Sequence, residues 1–336
     1  MQDFLKICRY SYLRHNIKIG VIIIIALFLV ISLLFLTNSS LFGEDIPVNR
    51  NEIIDSYRKA IDLQDFAIGQ LNNEDNNNDI QEALRAYSAR KAYYEYLIAN
   101  NRIEEDYYHI GGMFSAEVEV KQGHEGTAFM FYSFKWLSYL VYILSVLIPV
   151  LLFVSELGGP IKNIIVTGLN RNKIFNSFYV EIFIIVSLLN FLAFIIGLIG
   201  GLTNAEDMCL LLDSGFTEVS TLVIYLWACF GRYVLSIFFM GLTMLVGLRT
   251  RNNSLTIVYV LLIVAFTVVL GLLSSSMYLQ HGIYKSDDPL MELPIIGINA
   301  NLVGPNNKTI GLIIYHGVIG ILFYLSGLIY FNRKAI

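Results

Sequence analysis

Two charged side chains stand inside long apolar runs, and they are the residues most able to do chemistry there. Arg232 lies within YLWACFGRYVLSIFFMG, several residues from either end of its run, and Glu181 lies about two turns into the run that begins at Phe175. An arginine at the centre of a bilayer costs about 2.5 to 3.5 kcal/mol on insertion scales, so Arg232 must face other helices or water. It either lines a path for cargo or ties its helix to a helix-end carbonyl or a carboxylate on a neighbouring span. Glu181 is placed where a Lys or Arg of the N-terminal segment could reach it. The chain shows no succession of such groups that would relay a proton. Nor does it offer a catalytic set: His281 and His316 have no HExxH neighbours, and His15, His109 and His124 fall outside the apolar runs. Cys8, Cys209 and Cys229 lack metal-ligand spacing. No GxxxxGK[ST] string is present, and Gly304-Pro305-Asn306-Asn307-Lys308-Thr309 lacks the loop length and second glycine of a phosphate cradle. No catalytic, metal or cofactor site is therefore expected in this chain.

A second chemically distinctive stretch is ELGGPIKNIIVTGLNRNKIFNSFYVE, residues 156–181, a polar interlude between two apolar runs. Each run exceeds or meets the roughly 20 residues needed to cross a hydrocarbon core. Lys162, Arg171 and Lys173 outnumber Glu156 in the loop, and short basic loops stay on the cytoplasmic side. Gly158 and Gly159 break the preceding helix, and Pro160 suits the first position of a new one. Ile161, Ile164, Ile165 and Leu169 recur at helical spacing, with Lys162, Asn163 and Thr167 off that face, which predicts a short helix lying along the interface. Gly168 ends it, and Asn170 caps the next helix.

These stretches belong to a strongly apolar chain. Of its 336 residues 56% are hydrophobic and only 15% charged, with a mean hydropathy of +0.61, values that exclude an ordinary soluble enzyme. The expected fold is an all-α polytopic membrane protein with six transmembrane helices and an α-helical, minor-β extracytoplasmic insert. Residues 1–18, basic with a partial apolar stripe, read as an interfacial elbow helix, and 19–36 as a first span retained as a signal anchor. Residues 37–132 are hydrophilic, with acids outnumbering bases about two to one. Asn49 with Glu52 and Asp79 with Glu82 have capping-box spacing, which predicts a helical hairpin. Its apolar stripes are Ile54, Tyr57, Ile61, Ile68 and Leu71 on one helix, and Ile80, Leu84, Tyr87, Tyr94 and Ile98 on the other. Residues 72–78 form its turn. Its tyrosines either fill a small helical core or present a surface to a peptide, and the first reading is preferred. Phe114 to Val120 alternate as a strand or extended arm.

Further spans are predicted at 134–153, 175–202, 222–248, 255–273 and 310–331. Between them lie the loop at 156–174, an acidic outer loop after the third span, a tight basic turn at Arg249 to Asn253, and an extracytoplasmic or re-entrant segment at 277–309. Both termini then lie in the cytosol.

The six-span layout, the amphipathic N-terminal elbow, the loop of Glu156, Gly159, Pro160, Lys162, Ile165, Arg171 and Lys173, and the broken apolar segment before the sixth span resemble the type-2 ABC exporter permeases. That resemblance implies that the short helix is a coupling helix docking into two separate ATPase subunits, which would carry ATP and Mg. It implies a homodimer, or a heterodimer with a related permease, in a bacterial plasma membrane, and export of an amphipathic cargo such as a peptide or lipid-like molecule. The large first outer domain departs from the smallest drug and polysaccharide exporters, so their cargo does not carry over. It is closer in layout to bacterial members concerned with peptide or antimicrobial export and self-protection. No nucleic-acid partner is expected. Two other classes stay open on the residues alone: an intramembrane enzyme, and a membrane scaffold that senses an extracellular ligand through the hairpin.

Overall fold

Helix length and apolarity decide the architecture. The computed structural model describes residues 28, 50–72, 78–100, 125–157, 159, 161, 165, 170–201, 208–212, 215–265 and 307–333. In chain order these form α1 (Arg50–Leu71), α2 (Asn78–Ala99), α3 (Glu125–Leu152), α4 (Arg171–Gly201), β1 (Met208–Leu212), β2 (Gly215–Val219), α5 (Thr221–Thr250), α6 (Asn253–Ala265) and α7 (Asn307–Arg333). Four of them, α3, α4, α5 and α7, are long and apolar enough to cross a membrane. At about 1.5 Å per residue even a 27-residue helix reaches roughly 40 Å, beyond a hydrocarbon core of about 30 Å.

The bundle is built around α3 and α5. Both are buried along most of their apolar windows, whereas α4 and especially α7 leave much of theirs uncovered. Helix α3 packs on α4 and α5, and α5 also takes α7. One core cluster runs through Leu137, Ile148, Phe153, Phe175, Ile182 and Met240, and a second through Phe134, Tyr142, Tyr225, Phe238 and Phe239. Phe28, the described residue of the predicted first span, is helical and fully buried in the first cluster. The outer faces of α4 and α7 carry exposed Ile184, Leu188, Phe191, Val318, Leu322 and Leu325, the composition that hydrocarbon solvates at no penalty.

The predicted helical hairpin is present, with a shifted core. Its buried residues are Ile53, Tyr57, Tyr93 and Leu97, so Ile54 and Tyr94 of the predicted stripes flank the core rather than centre it. Tyrosine does fill it: Tyr94 lies 5.3 Å from Tyr57 and 5.5 Å from Tyr93, ring to ring. Helix α2 begins at Asn78, which puts Asp79 inside the first turn instead of before it. Lys91 donates to Asp65 at 2.6 Å and joins the two helices on their exposed side.

Other sequence expectations shift locally. Helix α3 stops at Leu152 and tightens into a 3₁₀ turn over Val154–Glu156, ahead of the glycine pair expected to break it. Pro149 lacks the N–H that would bond the Ser145 carbonyl, so it interrupts the ladder in the preceding turn, while the last turn keeps its bond from Phe153 N–H to the Pro149 carbonyl at 2.9 Å. The outer loop after the third predicted span holds an antiparallel two-stranded hairpin, pairing Met208 with Val219 and Leu212 with Gly215 across a two-residue connection. Helix α2 packs against both strands. The basic turn is as tight as expected: Arg251 takes a left-handed conformation, its N–H donates to the Gly247 carbonyl, and the Asn252 side chain accepts from Leu255 N–H. The elbow at 1–18, the rest of the first span, the arm at 114–120, residues 266–273 of the fifth span and the re-entrant segment before Asn307 lie outside the described residues.

Candidate functional site

The loop following α3 is anchored in the bundle by aromatic rings. Phe153, where α3 ends, lies 5.7 Å from both Phe175 and Phe178 in the first turns of α4, and 6.3 Å from Phe331 near the end of α7. Phe175 and Phe331 are 5.6 Å apart, and Tyr179 meets Tyr324 at 4.5 Å. Apolar rings at these offsets attract beyond their buried area. Polar bonds close the same junction. Arg171 Nη1 donates to the Asn332 carbonyl at 3.4 Å, Asn332 Nδ2 to Asn172 Oδ1, and Tyr324 Oη to Asn176 Oδ1 at 2.9 Å. Three helix ends are thus joined at one point.

The predicted loop residues sit on this knot. Glu156 is buried at 7% exposure in the 3₁₀ turn, and Gly159 follows in a half-buried turn. Ile161 is 0% exposed and joins the main core, and Ile165, one helical turn later, packs against it. Arg171 is half-buried and Lys173 exposed in the first turn of α4, where Asn170 Oδ1 accepts the Asn172 N–H as a cap. Pro160 and Lys162 lie outside the described residues. Helix α5 closes the far side. A Cβ at Gly247 would stand 2.3 Å from Val154 Cγ2, so only glycine lets α5 approach the turn this closely.

Deeper in the bundle a polar cluster surrounds Arg232, which is 1% exposed. Tyr225, Cys229 and Arg232 recur at spacings of four and three and share one face of α5. Arg232 Nε donates to Asn190 Oδ1 at 3.2 Å, and Nη2 to the Asn190 carbonyl at 3.2 Å and the Cys229 sulfur at 3.6 Å. Its guanidinium carbon lies 5.3 Å from the centre of the Phe134 ring on α3, a cation–π geometry. The tie runs to a mid-helix amide and carbonyl, not to the helix-end carbonyl or the carboxylate expected from sequence. Tyr225 Oη donates to the carbonyls of Phe194, at 3.1 Å, and Ala193, at 3.4 Å. Two side chains two turns apart on α5 therefore staple carbonyls one turn apart on α4. Ala193 and Gly197 give α4 the small-residue groove that lets Tyr225 lie against it. Glu181, the other predicted intramembrane charge, is half-buried on α4.

Sequence reasoning missed Asn190, Tyr225 and Tyr142 as members of this cluster. The signals were an amide inside SLLNFLAF and the spacing of polar groups upstream of Arg232. His316 is buried on α7, 5.8 Å from the Phe238 ring. Among the described residues no three His, Cys, Asp or Glu side chains gather as they would around a metal. The cluster can hold a cation between helices and offer N–H and O–H donors. It contains no nucleophile paired with a base. No protein-family model, no curated protein and no solved structure matches this chain, so the arrangement of its own residues carries the functional argument.

Proposed function

We propose that the chain is the membrane-spanning permease subunit of an ABC exporter, working as a pair of copies or beside a related permease. Two ATPase subunits, which would carry the ATP and Mg, dock on the loop from Glu156 to Lys173. The observation that supports this is the complete burial of Ile161 in a core shared with Phe153, Phe175 and Phe331. A loop that only joined two spans would have no need to root itself among three helix ends. A rooted loop acts as a lever. A force applied at Gly159 to Lys173 is passed to α3, α4 and α7 together through rings and bonds, and to α5 through Val154 and Gly247. Closely packed interfaces of this kind respond by switching between discrete packings rather than by bending. ATP binding on the partner would favour one packing by its differential affinity for the two states. In this reading the loop faces the cytosol and an amphipathic cargo passes outward.

The test is charge reversal. Lys162→Glu should uncouple the partner's ATP hydrolysis from transport while membrane insertion and yield stay unchanged. Arg171→Glu should do the same with an added loss of stability, because Arg171 also holds the Asn332 carbonyl. Co-purification from native membranes with a chain that carries a phosphate-binding loop is the companion observation. Full coupling in Lys162→Glu would move the docking surface elsewhere, and purification as a lone chain under mild conditions would reject the assignment.

A further inference from the structure

The Arg232 cluster has an unanswered charge. All the hydrogen-bond acceptors of the guanidinium are neutral: an amide oxygen, a backbone carbonyl and a thiol. Among the described residues Nη1, sealed from solvent, finds no hydrogen-bond acceptor, and neither does the buried hydroxyl of Tyr142 on the neighbouring α3. Both border one buried cluster: the guanidinium lies over the Phe134 ring and Tyr142 packs on Phe239, and these three rings belong to the same core. Buried polar groups are normally satisfied, and an orphaned cation beside an orphaned hydroxyl marks a place where something acceptor-rich and negative belongs. Around them stand Phe134, Tyr225 and Phe239, with Tyr142 5.6 Å from Phe239, ring to ring. The surroundings suit hydrocarbon, and the two donors suit an anion.

Both atoms are sealed from solvent, so a ligand reaches them only where α3 parts from α5. The contact is suited to that. Ser138 and Ser145 on α3 donate to the carbonyls of Phe134 and Val141 in their own helix, and Ser236 and Thr243 on α5 to those of Arg232 and Phe239. These four hydroxyls keep their bonds when the helices separate. By contrast, Arg232 and Tyr225 donate across to α4 rather than to α3.

We propose that Arg232 Nη1 and the Tyr142 hydroxyl form a binding site for the anionic headgroup, a phosphate or carboxylate, of a lipid-like amphiphile whose tail lies among the rings between α3 and α5. The site stands independently of the coupling loop: it is a binding property, and its failure would leave the docking argument where it is.

The experiment uses the full chain in neutral detergent and follows thermal unfolding with three probes: dioctanoyl phosphatidic acid, dioctanoylglycerol with the same tails and no phosphate, and inorganic phosphate. A ligand held only by the folded protein raises the midpoint, by about 5 °C at a hundredfold excess over its dissociation constant. Phosphatidic acid should give that shift in the native chain, and the other two probes should not. Arg232→Met keeps the volume and every surface charge, and should abolish the shift. Tyr142→Phe should reduce it while the unliganded midpoint stays the same or rises, because an orphaned hydroxyl is removed. An equal shift in Arg232→Met, or an undiminished one in Tyr142→Phe should Arg232→Met fail to fold, overturns the site. An equal shift from inorganic phosphate alone overturns the lipid-like ligand, and no shift from any probe overturns the proposal.

Discussion

Gly197→Ala is the sharpest probe of the bundle. The added methyl would stand 2.0 Å from Tyr225 Oη, 2.7 Å from Tyr225 Cζ and 2.9 Å from Ser133 Oγ. Real Cβ atoms do not approach so closely, so something must move. The yielding group is the Tyr225 ring. It is fully buried, stacked at 5.8 Å on Phe194 and bonded to two carbonyls of α4. Overpacking a filled core costs about 1–3 kcal/mol. Breaking the Tyr225 bonds adds about 0.5–1.5 kcal/mol. Together the substitution should destabilise the chain by roughly 2–4 kcal/mol. The assay is equilibrium unfolding in mixed micelles, run as a double-mutant cycle with Tyr225→Phe. Phenylalanine removes the 2.0 Å contact and keeps the 2.7 Å one, so the cost of Gly197→Ala should fall by about 1 kcal/mol or more in the double variant, without vanishing. A cost below about 0.5 kcal/mol, or one indifferent to residue 225, would show that α4 and α5 do not meet as described.

Three further outcomes are expected. Gly247→Ala should displace Val154 and the 3₁₀ turn, lowering stability by about 1–3 kcal/mol, and Val154→Ala should restore most of it; failure of that rescue would place the turn elsewhere. Asn190→Leu strips Arg232 of one acceptor, Asn190 Oδ1, while the backbone carbonyl stays, and should cost about 1.5–3 kcal/mol, whereas Arg232→Met, which removes the buried charge itself, should cost less, and the reverse order would mean that the arginine is paired by other means. In the hairpin, the hydrogen bond that Lys91 donates to Asp65 holds the lysine amine above its ordinary range. A raised folded value means that this contribution is fully present below the ordinary lysine pKa of about 10.4 and is lost as pH rises through the folded value. Hydrogen exchange along α1 and α2 should quicken there, and Lys91→Gln should remove that component.

Much of the loop's local structure was legible because its signals are local. Asn170 caps α4, Ile161 and Ile165 fall one turn apart on the core side, and the basic turn closes where Arg249 to Asn253 predicts. The early stop of α3 had no such local signal, because Pro149 removes a bond one turn upstream and the helix runs on past it to Leu152. The β-hairpin was harder, because MCLLL has no alternation to separate it from a short apolar loop. The hairpin core was displaced by a residue because both Ile53 and Ile54, and both Tyr93 and Tyr94, fit an amphipathic stripe. Only the rotation of one helix against the other selects between them.

What the amino-acid order determined by itself is the set of segments too apolar to remain in water, the charges stranded within them, and the turns where glycine, proline and asparagine interrupt them. Those properties belong to short windows of chain, and no partner is needed to read them. What only the tertiary structure decided is which face of each helix turns inward. That rotation brings Asn190 to Arg232 across 42 positions of chain, gathers Phe153, Phe175 and Phe331 into one knot, and leaves a guanidinium nitrogen and a tyrosine hydroxyl facing no acceptor. Hydrophobicity drives helices into contact without direction, and the angle at which they meet is chosen by side-chain shape and by the few polar groups that must find partners.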